Sequence, residues 1–254
     1  QGSHTVFAQF TAEALGLPVE KVELRLSDTA TSRNSGSVSA SRMTFMSGNA
    51  ISGAAQQALE RWQAGDRPAV GDFVYRPPAT SPMDKVDGHC YPNFAYGYVA
   101  EAVLAEVNTQ TGEVRLKDVI CADDVGKAIN PSLVEGQIEG GVVQAAGYTL
   151  MENFITQKGK TFTKELSTYL IPTSADIPEH VESLILEYPD PIGPYGARGM
   201  GEMPYLPFVP AVIDAVYQAI GIRFNTFPLT AEAVLRGLGD RKSTRLNSSH
   251  RIRS

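Results

Sequence analysis

The chain has 254 residues, of which 43% are hydrophobic, 20% charged and 8% aromatic, as in folded globular domains and unlike disordered or collagen-like chains. No run of about 20 apolar residues occurs, so we expect no membrane-spanning helix. Lys and Arg number 22 against 28 Asp and Glu, a formal net charge of −6, which argues against a nucleic-acid partner.

The first part of the chain predicts two helices and a strand. Apolar residues recur at the helical period from His4 to Leu15, and Gly16 ends the pattern. Apolar and charged residues alternate over 22–26, which predicts a strand. A second helix is expected from about Ser41 to Trp62, followed by a Pro-rich connection over 65–82.

The second part mixes strands and helices. Two β-rich runs, 96–107 and 113–121, are joined by a Gly-containing turn and predict a hairpin. A long helix is expected from Asn130, although glycines lie along it, and each glycine costs about 1 kcal/mol relative to alanine. Close approach of another backbone or a ligand is the favoured reason for them. A strand over 181–188 and a helix over 210–220 follow, so we predict an α+β fold with mixed sheets and packed helices.

The segment 193–204 is the most informative part of the sequence. Its four glycines allow positive φ angles and let the backbone approach a flat or anionic ligand. Glu202 follows them just before a predicted helix, whose N-terminal end favours the ionised carboxylate that a general base requires. On pattern alone, the alternative of a Gly-rich turn with a helix-capping Glu is favoured.

Two further segments carry polar side chains beside small residues. Serines alternate over 35–41, and Arg42 adds a cation, so this helix start is a candidate for phosphate or polar ring edges; serine capping is the alternative. Gln144 can both donate and accept hydrogen bonds, but it is equally compatible with a surface position. Cys90 and Cys121 lack metal-ligand spacing, as do the histidines, so we predict no protein-ligated metal.

Taken in order, these segments resemble the molybdenum hydroxylases, the xanthine dehydrogenase and aldehyde oxidase family. The resemblance covers essentially the whole chain up to Leu238. The residues that carry it are Gln1-Gly2, Asp28-Thr29-Ala30-Thr31, Ser35 to Thr44 with Gly48-Asn49-Ala50, Asp124-Val125-Gly126, Ile129-Asn130-Pro131, Gly136 to Gln144, and Gly196 to Glu202.

The resemblance implies a molybdenum ion held by the dithiolene of a pterin, often extended in bacteria to a cytosine dinucleotide. Glu202 falls on the family's catalytic glutamate. The positions implied to line the cofactor are Gln1, Ala40, Ser41, Arg42, Thr44, Gln144 and Gly201. Met43 stands where many relatives carry Gln, so a side-chain amide contact to the cofactor is absent there.

The implied activity is hydroxylation of an aldehyde, purine or N-heteroaromatic carbon, with water as the oxygen source, by a cytoplasmic oxidoreductase. Iron-sulfur clusters and FAD are expected on partner subunits or domains, because two isolated cysteines cannot ligate a cluster. The rival function is that of a catalytically silent homologue, a cofactor-binding or scaffold subunit. Glu202 in its Gly-rich frame favours the enzyme.

The domain prediction follows from the extent of the resemblance. Residues 1–239 are expected to be the C-terminal half of the molybdopterin-binding catalytic domain, with the N-terminal half of the same subunit missing. Residues 240–254 turn basic and can be written codon for codon as a common sequencing adapter, so we expect a non-native tail. A genuine basic tail is the alternative.

Overall fold

The structure is a computed structural model, and it describes residues 1–26, 28–32 and 34–239. The tail predicted over 240–254 lies outside the described residues. The chain forms two compact units. Unit 1 contains Gln1–Tyr98, Asp123–Gln137 and Ile185–Gly201, and unit 2 contains Val99–Ala122, Ile138–Leu184 and the residues from Glu202 onward.

Unit 1 begins with helix α1 (Ser3–Leu15), which confirms the first predicted helix. Gly16 ends it in the left-handed conformation at φ +63°, where its N–H faces the carbonyl groups at the end of the helix. Phe10 is 1% exposed and lies with Val6 and Ala197 in the core of this unit. The apolar stripe read from the sequence is therefore the buried side of α1.

The strand predicted over 22–26 is wrong. Val19–Lys21 forms a short 3-10 helix, and 22–26 continue as an irregular segment that joins no sheet of the described residues. Leu24 remains 38% exposed. Alternation shows that a segment is compatible with a strand, but a strand forms only beside a neighbour that pairs with its backbone groups.

Helix α2 (Met43–Gln63) confirms the second helix, and the irregular 65–82 connection is confirmed as well. Phe45, 3% exposed, lies on the buried side of α2, with ring centroids 6.3 Å from Tyr75 and 5.5 Å from Phe94. These aromatic contacts fix the long connection against the helix.

The main sheet has three strands in the order β1-β2-β5: β1 (Tyr98–Val107), β2 (Val114–Asp124) and β5 (His180–Leu186). The predicted hairpin is confirmed, with the N–H of Asn108 donating to the Glu113 carbonyl at 2.9 Å. The predicted strand over 181–188 is confirmed as β5. Strands β3 (Thr156–Gln157) and β4 (Lys160–Thr161) form a separate antiparallel pair.

Helix α3 (Pro131–Leu150) confirms the long helix, and the Asn130 side chain accepts the Leu133 N–H at 3.2 Å, which is typical of a helix start. Its glycines divide into two groups. A Cβ on Gly147 would lie 2.1 Å from the Glu152 carboxylate, whereas Gly136 and Gly140 face open space. No described backbone approaches Gly136 or Gly140, so close approach of a ligand at these two positions stays a prediction.

Helix α4 (Tyr205–Ile220) begins five residues before the predicted start. Proline is favoured in the first turn of a helix, and the prediction placed Pro210 in that turn. In the structure, Pro207 lies in the first turn of α4 instead. Residues 231–239 are also helical. No helix in the described part of the chain is long and apolar enough to cross a membrane.

The core of unit 2 is formed by one face of the sheet together with α3, α4 and the last helix. Its fully or nearly buried members are Leu116, Val119, Val142, Ala145, Ala146, Phe208, Val212, Ile213, Val216, Ile220, Leu229 and Val234. Strands and helices that alternate without a βαβ repeat and share one core confirm the α+β prediction.

Replacing Phe208, whose side chain is fully buried in this core, tests the contribution of α4 to stability. We expect Phe208→Ala to lower the free energy of unfolding by about 3–5 kcal/mol in urea denaturation, because it removes apolar contacts and leaves a cavity. Leu206→Ala is the matched control, since Leu206 lies in the same helix and is 72% exposed; its effect should stay within about 0.5 kcal/mol. Equal effects of the two variants would contradict this packing.

Candidate functional site

In unit 1, the Gly-rich loop that ends at Gly201 lies directly against Ser41. A Cβ on Gly199 would stand 1.7 Å from the Ser41 carbonyl oxygen, and a Cβ on Gly201 would stand 2.0 Å from its Oγ. Gly201 also has φ +53°, a conformation that side chains disfavour. The Ser41 hydroxyl donates to the Met200 carbonyl at 3.3 Å. Only glycine allows this approach to Ser41, and the predicted approach of the loop to a ligand stays a prediction.

The partner of this loop is a strained turn. Ala40 and Ser41 both adopt left-handed conformations, at φ +55° and +56°, although neither is glycine. Such residues cost about 1–3 kcal/mol each and persist where the surroundings enforce them, often at functional sites. Both are positions that the resemblance implies to line the cofactor, and Lys158 and Tyr195 are the other left-handed residues besides glycine in the described part of the chain.

A second side chain holds the next carbonyl of the loop. The Gln137 amide, on α3, donates to the Gly201 carbonyl at 3.1 Å. Gln137 lies in a Gly-rich part of the sequence but was not predicted as a site residue, because nothing in the sequence indicates a contact with a loop 64 residues away. Met200 and Gly201, the two residues before Glu202, are therefore both fixed by side chains distant in sequence.

Glu202 itself lies in unit 2 with an exposed side chain. The residue at the N-terminal cap of α4 is Pro204, and the structure shows no side-chain cap there, so the alternative of a capping Glu is not supported. The Glu202 carboxylate makes no hydrogen bond or ion pair with another described residue. Burial first, and then the negative charges of neighbours including Glu202, raise the pKa of Tyr205.

The Gly-rich loop is anchored at Arg198 by two aspartates. Its Nη1 lies 2.5 Å from Oδ2 of Asp124, and its Nε lies 3.2 Å from Oδ2 of Asp190. All three side chains are nearly buried, with exposures of 11%, 7% and 8%. Burial opposes the charged guanidinium, but the two aspartates outweigh it and raise the pKa of Arg198. The Arg198 N–H also donates to the Val125 carbonyl at 2.8 Å.

The remaining carboxylate oxygens of this network bind backbone amides. Oδ1 of Asp124 accepts from Gly126 at 3.0 Å and from Tyr188 at 3.1 Å. Oδ1 of the other aspartate accepts from the N–H groups of Ile192 and Gly193 at 3.0 and 2.9 Å. One arginine and two aspartates therefore fix the course of three chain segments around the loop.

Unit 1 also contains a groove of about 900 Å³ between the start of α1 and the start of α2. Its polar lining comes mainly from hydroxyl side chains, and its apolar walls are formed by Phe7, Leu24, Leu26, Val38, Met43, Ala50 and Ile51. The polar residues that line it include Gln1, Ser3, His4, Thr5, Arg25, Ser32, Ser35 and Ser47. These donors and acceptors suit a polar, flat heterocycle such as a pterin.

The structure divides the predicted site residues between the units. Gln1 lines the groove. Met43, which replaces the Gln expected from the resemblance, lines it as well. Arg42, just before α2, and Thr44, in its first turn, are half-buried. Gln144 lies on α3 in unit 2 with an exposed side chain, which leaves both of its interpretations open.

Neither the carboxylates nor the cysteines suggest a protein-bound metal. Within 1–26, 28–32 and 34–239, no three His, Cys, Asp or Glu side chains cluster with metal-ligand geometry. Cys90 is a free thiol, and the buried Cys121 thiol donates to the Glu101 carboxylate at 2.9 Å. The prediction that no protein side chain ligates a metal remains a prediction.

Unit 1 thus contains a groove with polar and apolar walls and a loop packed through glycine, features that suit the binding of a cofactor. The chain matches the family model described as the molybdopterin cofactor-binding domain over residues 1–71 and 62–178. It belongs to this family, as the resemblance implied.

Several relatives carry names of molybdenum enzymes. The chain is 32% identical to a probable xanthine dehydrogenase subunit of Bacillus subtilis, over 95% of this chain and 36% of that protein. It superposes on the aldehyde oxidoreductase of Desulfovibrio desulfuricans with a TM-score of 0.83 at 30% identity, over 91% of this chain and 27% of the other. For quinoline 2-oxidoreductase of Pseudomonas putida, the TM-score is 0.77 at 28% identity, over 94% and 35%.

The chain thus spans about a third of the length of these relatives. These relatives carry the names of oxidoreductases. The names do not favour the alternative that the chain is a catalytically silent homologue.

Removing the Arg198 guanidinium tests the anchoring network. We expect Arg198→Gln to destabilise the chain by about 3–5 kcal/mol, because two buried carboxylates lose their counter-charge. Urea denaturation measures this effect. Arg236→Gln is the control, because Arg236 pairs with Glu232 at the surface, with exposures of 71% and 80%, and should change stability by no more than about 1 kcal/mol. A small effect at both positions would show that the network does not hold the loop.

Proposed function

We propose that the chain is the molybdopterin-binding catalytic part of a molybdenum-dependent hydroxylase of the xanthine dehydrogenase and aldehyde oxidase type. Its substrate is an aldehyde, a purine or an N-heteroaromatic compound, and water supplies the oxygen. One observation carries this proposal. The two residues before Glu202 are fixed through their carbonyls, while the Glu202 carboxylate is exposed and unpaired among the described residues.

In this proposal, the residues of unit 1 bind the cofactor. Gln1 and the hydroxyl groups of the groove hydrogen-bond to the edges of the pterin, and the left-handed Ala40–Ser41 turn offers backbone amides to the cofactor. Arg42, whose positive charge is unfavourable at the start of a helix, is compensated by an anionic phosphate. When bound, molybdopterin supplies the metal and takes up the electrons of the oxidation.

Glu202 acts as the general base. Its carboxylate accepts a proton from the water-derived nucleophile as that oxygen attacks the electrophilic carbon of the substrate. Because hydrogen bonds from Ser41 and Gln137 fix the preceding carbonyls, the Cα position of Glu202 is set before substrate arrives, and little reorganisation is needed. Gln144 contributes an amide to a polar group of the cofactor.

The remaining parts of the enzyme lie on other polypeptide segments. Iron-sulfur clusters and FAD belong to partner subunits or domains, and the N-terminal half of the same subunit completes the pterin envelope. The partial coverage of the relatives supports this arrangement. The cytosine dinucleotide form of the cofactor, the cytoplasmic address and the non-native tail over 240–254 stay predictions.

Substitution of Glu202 tests the catalytic assignment in the complete, cofactor-loaded subunit. Glu202→Gln keeps the side-chain volume but cannot accept the proton, so turnover should fall by about 10²- to 10⁴-fold. Molybdenum content, measured by elemental analysis, should stay at the parental level. Glu60→Gln, on the exposed surface of α2, should leave both unchanged. Turnover of Glu202→Gln within about threefold of the parent would refute the general-base role.

Substitution of Arg42 tests the cofactor assignment separately from chemistry. Arg42→Ala removes a charge-assisted hydrogen bond, worth about 1.5–3 kcal/mol, so cofactor retention after gel filtration should fall about tenfold or more. Molecules that keep molybdenum should turn over at nearly the parental rate. The control is Arg236→Ala, which removes an exposed arginine from the last helix. Unchanged metal content with lower turnover would contradict the assignment.

A further inference from the structure

The sheet of unit 2 has one covered and one uncovered face. Side chains alternate along β1, so Val103 and Ala105 point to the core formed with α3 and α4, while Ala102 and Leu104 point away from it. Strand β5 alternates in the same way, with Leu184 pointing outward. The Arg198 guanidinium lies over the outward-pointing Tyr98 ring, whereas Leu104 and Leu184 remain exposed.

This outer face carries aliphatic side chains on all three strands, and Glu182 also points outward from β5. Leu104 is 59% exposed, Leu184 is 41% exposed and Ile120 of β2 is 40% exposed, while Ala100 and Ala102 add small apolar side chains on β1. We name these five residues the outer face. Antiparallel sheets that face water usually carry polar residues on that side, so adjacent exposed aliphatic side chains mark an interaction surface.

Charged residues lie at one end of the outer face. Glu106 follows Leu104 on the outward side of β1, and its charge contributes to the raised pKa values of Arg115 and Lys117, which are due first to the hydrogen bonds that these cations donate to Glu113 and Glu179. Lys117 forms an ion pair with Glu179 at this end. Exposed aliphatic side chains bordered by charged residues are common in protein interfaces.

We propose that the outer face is the docking surface for the remaining part of the same molybdenum-binding subunit. This inference rests on the proposed function, in which the chain is one part of a larger subunit. The Bacillus subtilis relative is nearly three times as long as the portion matched here. A segment of the same polypeptide has an effective concentration of about millimolar, which favours it over a second copy as the occupant.

Cysteine labelling tests this docking surface. Leu104→Cys would be introduced into this chain and into the complete subunit, both without cofactor, and its reaction rate with a maleimide measured in each. We expect modification to be at least about tenfold slower in the complete subunit, because the docked segment excludes the reagent. Ala102→Cys, on the same face, should show the same protection and serves if the first variant fails to fold. Reaction of Cys90 and Cys121 in the unsubstituted chain gives the background.

The matched control is Gln110→Cys, in the turn of the same hairpin and away from the outer face. It should react equally fast in both proteins. Equal rates for Leu104→Cys in both proteins would overturn the proposal, and protection in this chain alone that increases with protein concentration would assign the surface to a second copy. Labelling does not depend on turnover, so its failure is distinguishable from loss of the Glu202 role, which is measured by activity.

Discussion

The buried network of Arg198 with Asp124 and Asp190 is the interaction on which the candidate site depends. Burying three charged side chains is costly, and the cost is tolerated here because all four carboxylate oxygens have hydrogen-bond donors. Oδ2 of each aspartate accepts from the guanidinium, and Oδ1 of each aspartate accepts from two backbone N–H groups. The same bonds satisfy amides that would otherwise be unpaired in a tight loop region. The network therefore fixes the loop and also provides hydrogen-bond acceptors for the backbone N–H groups around it.

The anchored loop makes a second feature possible, namely the strained turn at Ala40 and Ser41. Two consecutive left-handed residues without glycine persist only where other contacts compensate for their cost. The compensation visible in unit 1 is the hydrogen bond from Ser41 to Met200 and the close packing of Gly199 and Gly201. A larger residue at Gly199 or Gly201 would push the turn away. The left-handed conformations of the turn therefore depend on the two glycines.

Sequence reasoning succeeded where the signal was local. Helical periodicity predicted α1, α2 and α3, the Gly-containing turn predicted the hairpin, and the glycines of 193–204 predicted close backbone approach. It failed where the outcome depends on distant partners. The 22–26 segment has strand-like alternation but no neighbour to pair with, and the contact of Gln137 with Gly201 joins residues 64 positions apart. Family resemblance supplied the role proposed for Gln1, which no local pattern indicates.

The exposure of Glu202 and that of the outer face have one common explanation under the proposed function. A general base works best where water is excluded, because protein dipoles and charges act more strongly in a low-dielectric site. Glu202 is exposed on this chain, and the relatives are about three times longer. Under this proposal, the walls that enclose the substrate come from the remaining part of the subunit. Docking that part on an apolar sheet face supplies the free energy to close the site, while leaving Glu202 already positioned by its own loop.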